Sequence, residues 1–232
     1  MTTINPTVTG ASLPTVSQPS AAAPKPAPAQ PAQPAQPQTL QVKPNIVDRF
    51  QTTQRSQELA NTQAGQIDSI RKGIQNGSIT EKEAAKLLEQ QAHVSRATAS
   101  ATADGVITSS EAASIRRLQS KASGDVFQAA HNRDRGAPLD RAVAKEQVAQ
   151  LDKIAQGVRN GSLTGAEANT VLADQADIAQ TTADAQADGE LDFIEKQTLG
   201  IRQDAASFEI QKEKKDAEKA PHASRLNFPV AL

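Results

Sequence analysis

Asn76-Gly77-Ser78-Ile79-Thr80-Glu81-Lys82-Glu83 ends one helix and opens another within eight residues. Gly after Asn suits a helix end, because Gly takes the left-handed conformation at little steric cost. Thr80 then serves as N-cap, its side-chain oxygen accepting an orphan amide hydrogen of the next helix. Glu83, three residues on, reaches back to the amide of the cap and completes a capping box. Ile79, just before the cap, is placed to staple the turn onto the helix body. The same phrase returns as Asp104-Gly105-Val106-Ile107-Thr108…Glu111, Asn160-Gly161-Ser162-Leu163-Thr164…Glu167 and Asp188-Gly189-Glu190-Leu191-Asp192…Glu195. Its glycines lie 28, 56 and 28 residues apart, so the chain is a repeat on a 28-residue step. A worn copy, Arg135-Gly136-Ala137-Pro138-Leu139-Asp140, fills the empty slot.

A longer repeat contains the short one. Residues 66–132 align with 150–216 at an offset of 84, without a gap. The alignment pairs Ile67 with Leu151, Gly73 with Gly157, Leu88 with Leu172, Gln91 with Gln175, Val94 with Ile178 and Ser123 with Ser207. Ile67, Ile70 and Ile74 recur at helical spacing, and Leu151, Ile154 and Val158 repeat them. Each half reads as helix, Asn-Gly turn, helix, Asp-Gly turn, helix. The expected fold is therefore all-α: two tandem three-helix units, six helices in all, joined by tight glycine turns that favour antiparallel neighbours.

Composition sets the flanks. Ten of the thirteen prolines lie in residues 1–44, so this stretch reads as a disordered, PPII-like Pro/Ala/Gln arm. Repeat unit 1 then covers 45–132, a linker 133–139, unit 2 140–219, and an apolar tail 220–232. Leu, Ile, Val and Phe number 44 of 232 residues, which implies a thin core of slender helices packed through alanine. With no cysteine, disulfides, thiol catalysis and cysteine-based metal sites are excluded. A net charge of −1, and no basic stripe interleaved with aromatics, give no reason to expect nucleic-acid binding. No membrane span and no signal peptide are legible. The expected location is the cytoplasm, or beyond it by a signal-peptide-independent route; the Cys-free, aromatic-poor composition suits passage of an unfolded chain.

The repeated phrase resembles the second half of an EF-hand calcium loop, whose ligands stand at loop positions 1, 3, 5, 7, 9 and 12. Threaded onto the last copy, the resemblance implies Asp184, Gln186, Asp188, the carbonyl of Glu190, Asp192 and Glu195 as ligands, with calcium the one cofactor to consider. Gln186 departs from the pattern. Residues 100–111 carry two carboxylates only, and the other two copies begin Lys72-Gly73 and Gln156-Gly157. Against calcium, Thr181–Ala187 is rich in Ala and Gln and favours helix, which would keep Asp184 and Gln186 from wrapping an ion. The capping reading is preferred in all four places. The turns Ala103-Asp104-Gly105 and Ala187-Asp188-Gly189 also resemble helical repeats of bacterial proteins, a resemblance that implies helical architecture and no activity.

No catalytic pattern is present. The three histidines, His93, His131 and His222, have no metal-ligand spacing, and neither a nucleophile elbow nor a phosphate-binding glycine loop occurs. Leu226, Phe228, Val230 and Leu232 alternate, as an extended peptide does when it lays one face on a partner's groove or sheet edge. The other reading of these four residues is a terminus tucked against its own bundle or simply frayed. The expectation is a non-enzymatic scaffold or adaptor, binding other proteins through helix faces or the tail. The alternatives are a calcium-responsive regulator and an exported or particle-associated factor.

Overall fold

The computed structural model describes residues 46–135, 141–187 and 191–219. They form six helices: α1 (Ile46–Asn76), α2 (Glu81–Thr102), α3 (Ser109–His131), α4 (Arg141–Asn160), α5 (Gly165–Ala185) and α6 (Phe193–Lys219). Among the described residues there is no strand, and the fold is all-α. The Pro-rich arm, the worn repeat copy at 136–140 and the tail at 220–232 lie outside the described residues.

The punctuation works as its residue types require. Gly77, Gly105 and Gly161 take φ of 71°, 82° and 71°, a region closed to most side chains. At the first turn Gly77 N–H donates to the Ile74 carbonyl at 3.2 Å, Ser78 N–H to Asn76 Oδ1 at 2.9 Å, and Ile79 N–H to the Gly73 carbonyl at 3.1 Å. Leu163 repeats that last bond to Gly157 at 3.0 Å. The caps follow: Glu83 N–H donates to Thr80 Oγ1 at 3.2 Å while Thr80 N–H donates to Glu83 Oε2 at 2.9 Å. Thr108 with Glu111 and Thr164 with Glu167 form the same reciprocal box. Gly73 and Gly157 have a separate reason to be glycine. A Cβ on Gly73 collides with the Ile79 side chain, and one on Gly157 comes within 2.7 Å of Leu163, so each staple residue lies on the bare backbone.

The two three-helix units are not laid end to end. Each central helix packs on its own copy: α2 lies most extensively on α5, and α1 on α4. This is how an isologous interface meets itself, here within one chain. α3 then covers α1 and α2, α6 covers α4 and α5, and α3 and α6 do not touch. The shared core holds Ile67, Ile70, Leu88, Leu151, Ile154 and Leu172, all fully buried, with each such side chain worth about 1.5–3 kcal/mol. Between α2 and α5 the filling is alanine: Ala84, Ala85, Ala92, Ala168 and Ala176. A smaller cluster of Leu59, Val94, Ile107, Ala112 and Ile115 seals α3 to its own unit.

Buried glutamines tie the layers together and obey the 84-residue offset. Gln63, Gln66, Gln91 and Gln119 are buried in the first unit, and Gln147, Gln150, Gln175 and Gln203 in the second. Gln66 Nε2 donates to the Gln119 carbonyl and to Ser123 Oγ, each at 2.6 Å; Gln150 Nε2 donates to the Gln203 carbonyl and Ser207 Oγ at 2.7 and 2.9 Å. Gln119 and Gln203 donate in return to the Leu59 and Val143 carbonyls at 2.8 and 2.9 Å. An amide inside a helix interface has few registers in which its atoms are satisfied, so these bonds fix how α3 and α6 slide along the centre.

Candidate interaction face

α6 is apolar on two opposite sides. One side, formed by Leu199, Ala206 and Ile210 with Gln203 among them, is buried on α4 and α5. Half a turn round the helix stand Ile194, Ile201 and Phe208, spaced seven residues apart, with Phe193 beside them. These four are 63 %, 64 %, 69 % and 77 % exposed in that order. The matching outward positions of α3, 84 residues earlier, are Ser110, Arg117, Gly124 and Ser109. α3 holds the same place in its unit without an apolar residue at these four positions, although it exposes Leu118 and Phe127 elsewhere, so the fold itself does not call for apolar residues there. Ile194, Ile201 and Phe208 stand two turns apart, with Gln197, Thr198, Asp204 and Ala205 between them, so they form an interrupted apolar row.

The charge along this stripe is low and mixed. Asp204, Gln197, Gln211 and Lys215 stand among the apolar residues. Near its C-terminal end Lys212 Nζ donates to Glu209 Oε1 at 2.8 Å and to Glu213 Oε1 at 3.3 Å. The bond from Lys212 holds the Glu209 carboxyl below its usual range, and the bond to Glu209 raises the Lys212 ammonium. Burial pushes the Glu213 carboxyl up. Exposed ion pairs of this kind contribute little to stability. They leave no strong field over the stripe, and the contact chemistry it offers is apolar.

Of the carboxylates in the last turn, Asp192 and Glu195 form a capping pair. Asp184 is in the final turn of α5, its Oδ1 accepting from Gln180 Nε2 at 2.8 Å, and Gln186 is the C-cap. Asp192 and Glu195 bond each other: Asp192 N–H donates to Glu195 Oε2 at 2.8 Å and Glu195 N–H to Asp192 Oδ1 at 2.7 Å. Asp188 and Glu190 lie outside the described residues. Asp184 thus stands on a helix, and Asp192 and Glu195 bond each other as cap and N3 residue. Among the described residues no group of three or more His, Asp or Glu is placed to hold a metal ion.

Leu226, Phe228, Val230 and Leu232 fall outside the described residues, as does His222. His93 is exposed on α2, and His131 stacks on Phe127 with ring centroids 4.1 Å apart. A shallow groove between α1 and α3 is lined by Glu58, Asn61, Thr62, Arg116 and Ser120, and Arg116 crosses it to bond Glu58 at 2.7 Å. No described helix is long and apolar enough to cross a membrane. The α6 stripe was not legible as a face, because residues 193–210 carry apolar side chains on two sides of a helix and show no single periodicity. The signal that finds it is the mismatch of Phe193, Ile194, Ile201 and Phe208 with their repeat positions in α3.

Comparison of the chain with protein-family models, with curated proteins and with solved structures found no match.

Proposed function

We propose that this chain is a non-enzymatic scaffold or adaptor that binds another protein on the outward face of α6, with residues 1–44 as its tether. One observation carries the reading: Phe193, Ile194, Ile201 and Phe208 are exposed on a helix whose repeat counterpart has Ser109, Ser110, Arg117 and Gly124 at those positions. The bundle beneath supports the role. Its caps and glutamine bonds give a stiff platform, and a helix that presents a stripe at seven-residue spacing suits apolar anchors from a partner helix or strand. The absence of a nucleophile elbow, a phosphate loop or a metal-ligand spacing in the sequence agrees with a binding role.

The test is affinity capture from the native cell extract, with the full chain set beside the variant Ile194→Glu/Ile201→Glu/Phe208→Glu and beside Arg117→Glu on α3. A partner retained by the wild type and by Arg117→Glu, and reduced at least tenfold with the triple variant, supports the reading. A partner retained equally by all three removes α6 from it.

A further inference from the structure

We propose that Asn76 and Asn160 are sites of spontaneous deamidation that the folded turns hold closed, so that conversion at either position records an opened helix end. Of the eight asparagines, these two alone precede glycine. Glycine has no Cβ to shield its amide nitrogen, which is the nucleophile of the reaction. At the second turn the deprotonated nitrogen of Gly161 attacks Cγ of Asn160. The new N–Cγ bond closes a five-membered succinimide, and the Cγ–Nδ2 bond breaks to release ammonia. Water then opens the ring at one carbonyl to give an aspartate, or at the other to give its isoaspartyl isomer. One water is consumed and one ammonia leaves, and Asn76 with Gly77 reacts in the same way.

The fold supplies both access and restraint. Asn76 and Asn160 are exposed, as the last residues of α1 and α4. The succinimide ring is nearly planar, and a helical backbone at the asparagine holds the glycine nitrogen well out of that plane. Ring closure therefore needs the Asn-Gly peptide to rotate, which breaks the turn's own hydrogen bonds. At the second turn these run from Gly161 N–H to the Val158 carbonyl at 3.4 Å, from Ser162 N–H to Asn160 Oδ1 at 2.9 Å and from Leu163 N–H to the Gly157 carbonyl at 3.0 Å. This turn is the looser of the two. Gly77 bonds Ile74 at 3.2 Å and is half-buried, whereas Gly161 is exposed, so Asn160 should react first.

The two products leave different turns behind. Asp104 stands at the matching position of the repeat, and its Oδ1 accepts from Val106 N–H at 3.0 Å as Asn160 Oδ1 does from Ser162, so an aspartate fits. The isoaspartyl isomer adds a methylene to the main chain between helix and turn. That puts Leu163 N–H out of register with the Gly157 carbonyl and unseats a side chain of the shared core.

Peptide mapping by mass spectrometry tests this on the full chain, aged at mildly alkaline pH in buffer and in concentrated urea. In urea both sites should convert at similar rates, while Asn61, exposed on α1 before Thr62, stays unmodified. In buffer both should slow at least tenfold, with Asn160 ahead of Asn76. Equal rates in buffer and in urea would overturn the proposal that the fold holds these sites closed. Conversion of Asn76 ahead of Asn160 in buffer would overturn the assignment of the looser turn. The isoaspartyl chains, separated by ion exchange, should unfold at lower urea than unmodified protein, while Asn160→Asp unfolds close to the wild type. An isoaspartyl chain as stable as the wild type would overturn the stated effect on Leu163.

Discussion

Glu81 and Gly165 hold the same position of the repeat, the first residue of α2 and of α5, and the α2–α5 interface treats them in opposite ways. A Cβ on Gly165 would stand 2.7 Å from the Ala99 amide nitrogen and 2.9 Å from the Ser95 carbonyl oxygen. Glu81 is buried at the corresponding place, with Gln147 Nε2 donating to its Oε2 at 3.1 Å and no partner for Oε1. In the first unit Gln63 donates instead to the Gln91 carbonyl and to Ser95 Oγ; the residue matching Ser95 in the second unit is Ala179, which has no hydroxyl to offer. Glu81 thus accepts the bond that Ala179 cannot.

Burial raises the Glu81 carboxyl from 4.5 to about 7, the Gln147 bond opposing this only in part. Its folded value lies above its unfolded one, so the native state binds more protons between these limits. The contribution of Glu81 is full below pH 4.5 and is lost as pH rises toward 7. The loss is on the order of 3 kcal/mol. Denaturant unfolding followed by circular dichroism should show the wild type weaker at pH 8 than at pH 5. Glu81→Gln keeps an acceptor for Gln147, and should remove most of that difference by strengthening the protein at pH 8. An unchanged pH slope in the variant would refute this account of Glu81.

The close approach at Gly165 gives a paired prediction. Gly165→Ala pushes a methyl into the backbone of α2, which cannot move aside as a side chain does, and should cost roughly 1–3 kcal/mol. Gly124→Ala, in an exposed position of α3 with nothing within 4 Å, should stabilise by about 1 kcal/mol through helix propensity alone. The two midpoints in urea should move in opposite directions. Equal shifts would mean that α2 and α5 are not in backbone contact.

What the residues disclosed follows from how local each cause is. Thr80 with Glu83, Thr108 with Glu111, Thr164 with Glu167 and Asp192 with Glu195 close boxes within four residues, so their roles are written beside them in the chain. The pairing of α2 with α5 is not local. Faces of Ala84, Ala85, Ala168 and Ala176 are alike in size and carry no mark of the helix they meet. Glu81 reads in sequence as a first-turn acid suited to the helix dipole. Only the arrival of α5 and of Gln147 makes it a buried one. Gly73 and Gly157 are legible as a matched pair of the repeat, though the reason for them, a staple (Ile79, Leu163) lying across bare backbone, needs the turn in three dimensions.

The glutamine ladder predicts an asymmetry between the repeats. Gln175 Nε2 donates to Gln150 Oε1 at 2.9 Å, whereas the equivalent atoms of the first unit, Gln91 Nε2 and Gln66 Oε1, are buried without a partner. Gln175→Leu leaves the Gln150 oxygen unpaired and should cost about 1–3 kcal/mol. Gln91→Leu removes two unpartnered buried atoms in exchange for apolar ones, and should be neutral or stabilising by about 1 kcal/mol. Thermal unfolding of the two variants decides it. If both lose stability alike, the ladder is symmetric in solution.

The outward face of α6 should be separable from the fold beneath it. Ile194, Ile201 and Phe208 point away from Leu199 and Ile210, and the bundle keeps its α4 and α5 contacts whichever side chains stand outside. Ile201→Glu therefore trades an exposed apolar group for a charge and should change unfolding free energy by no more than about 0.5 kcal/mol. Leu199→Glu, on the opposite side of the same helix, buries an unpaired carboxylate and should prevent α6 from seating or cost more than about 3 kcal/mol. The contrast is read by circular dichroism melts of the two variants beside the wild type. A large loss in Ile201→Glu would show that the face belongs to the core of a larger assembly in solution, and that its exposure in the single chain is not the state in which the protein is stable.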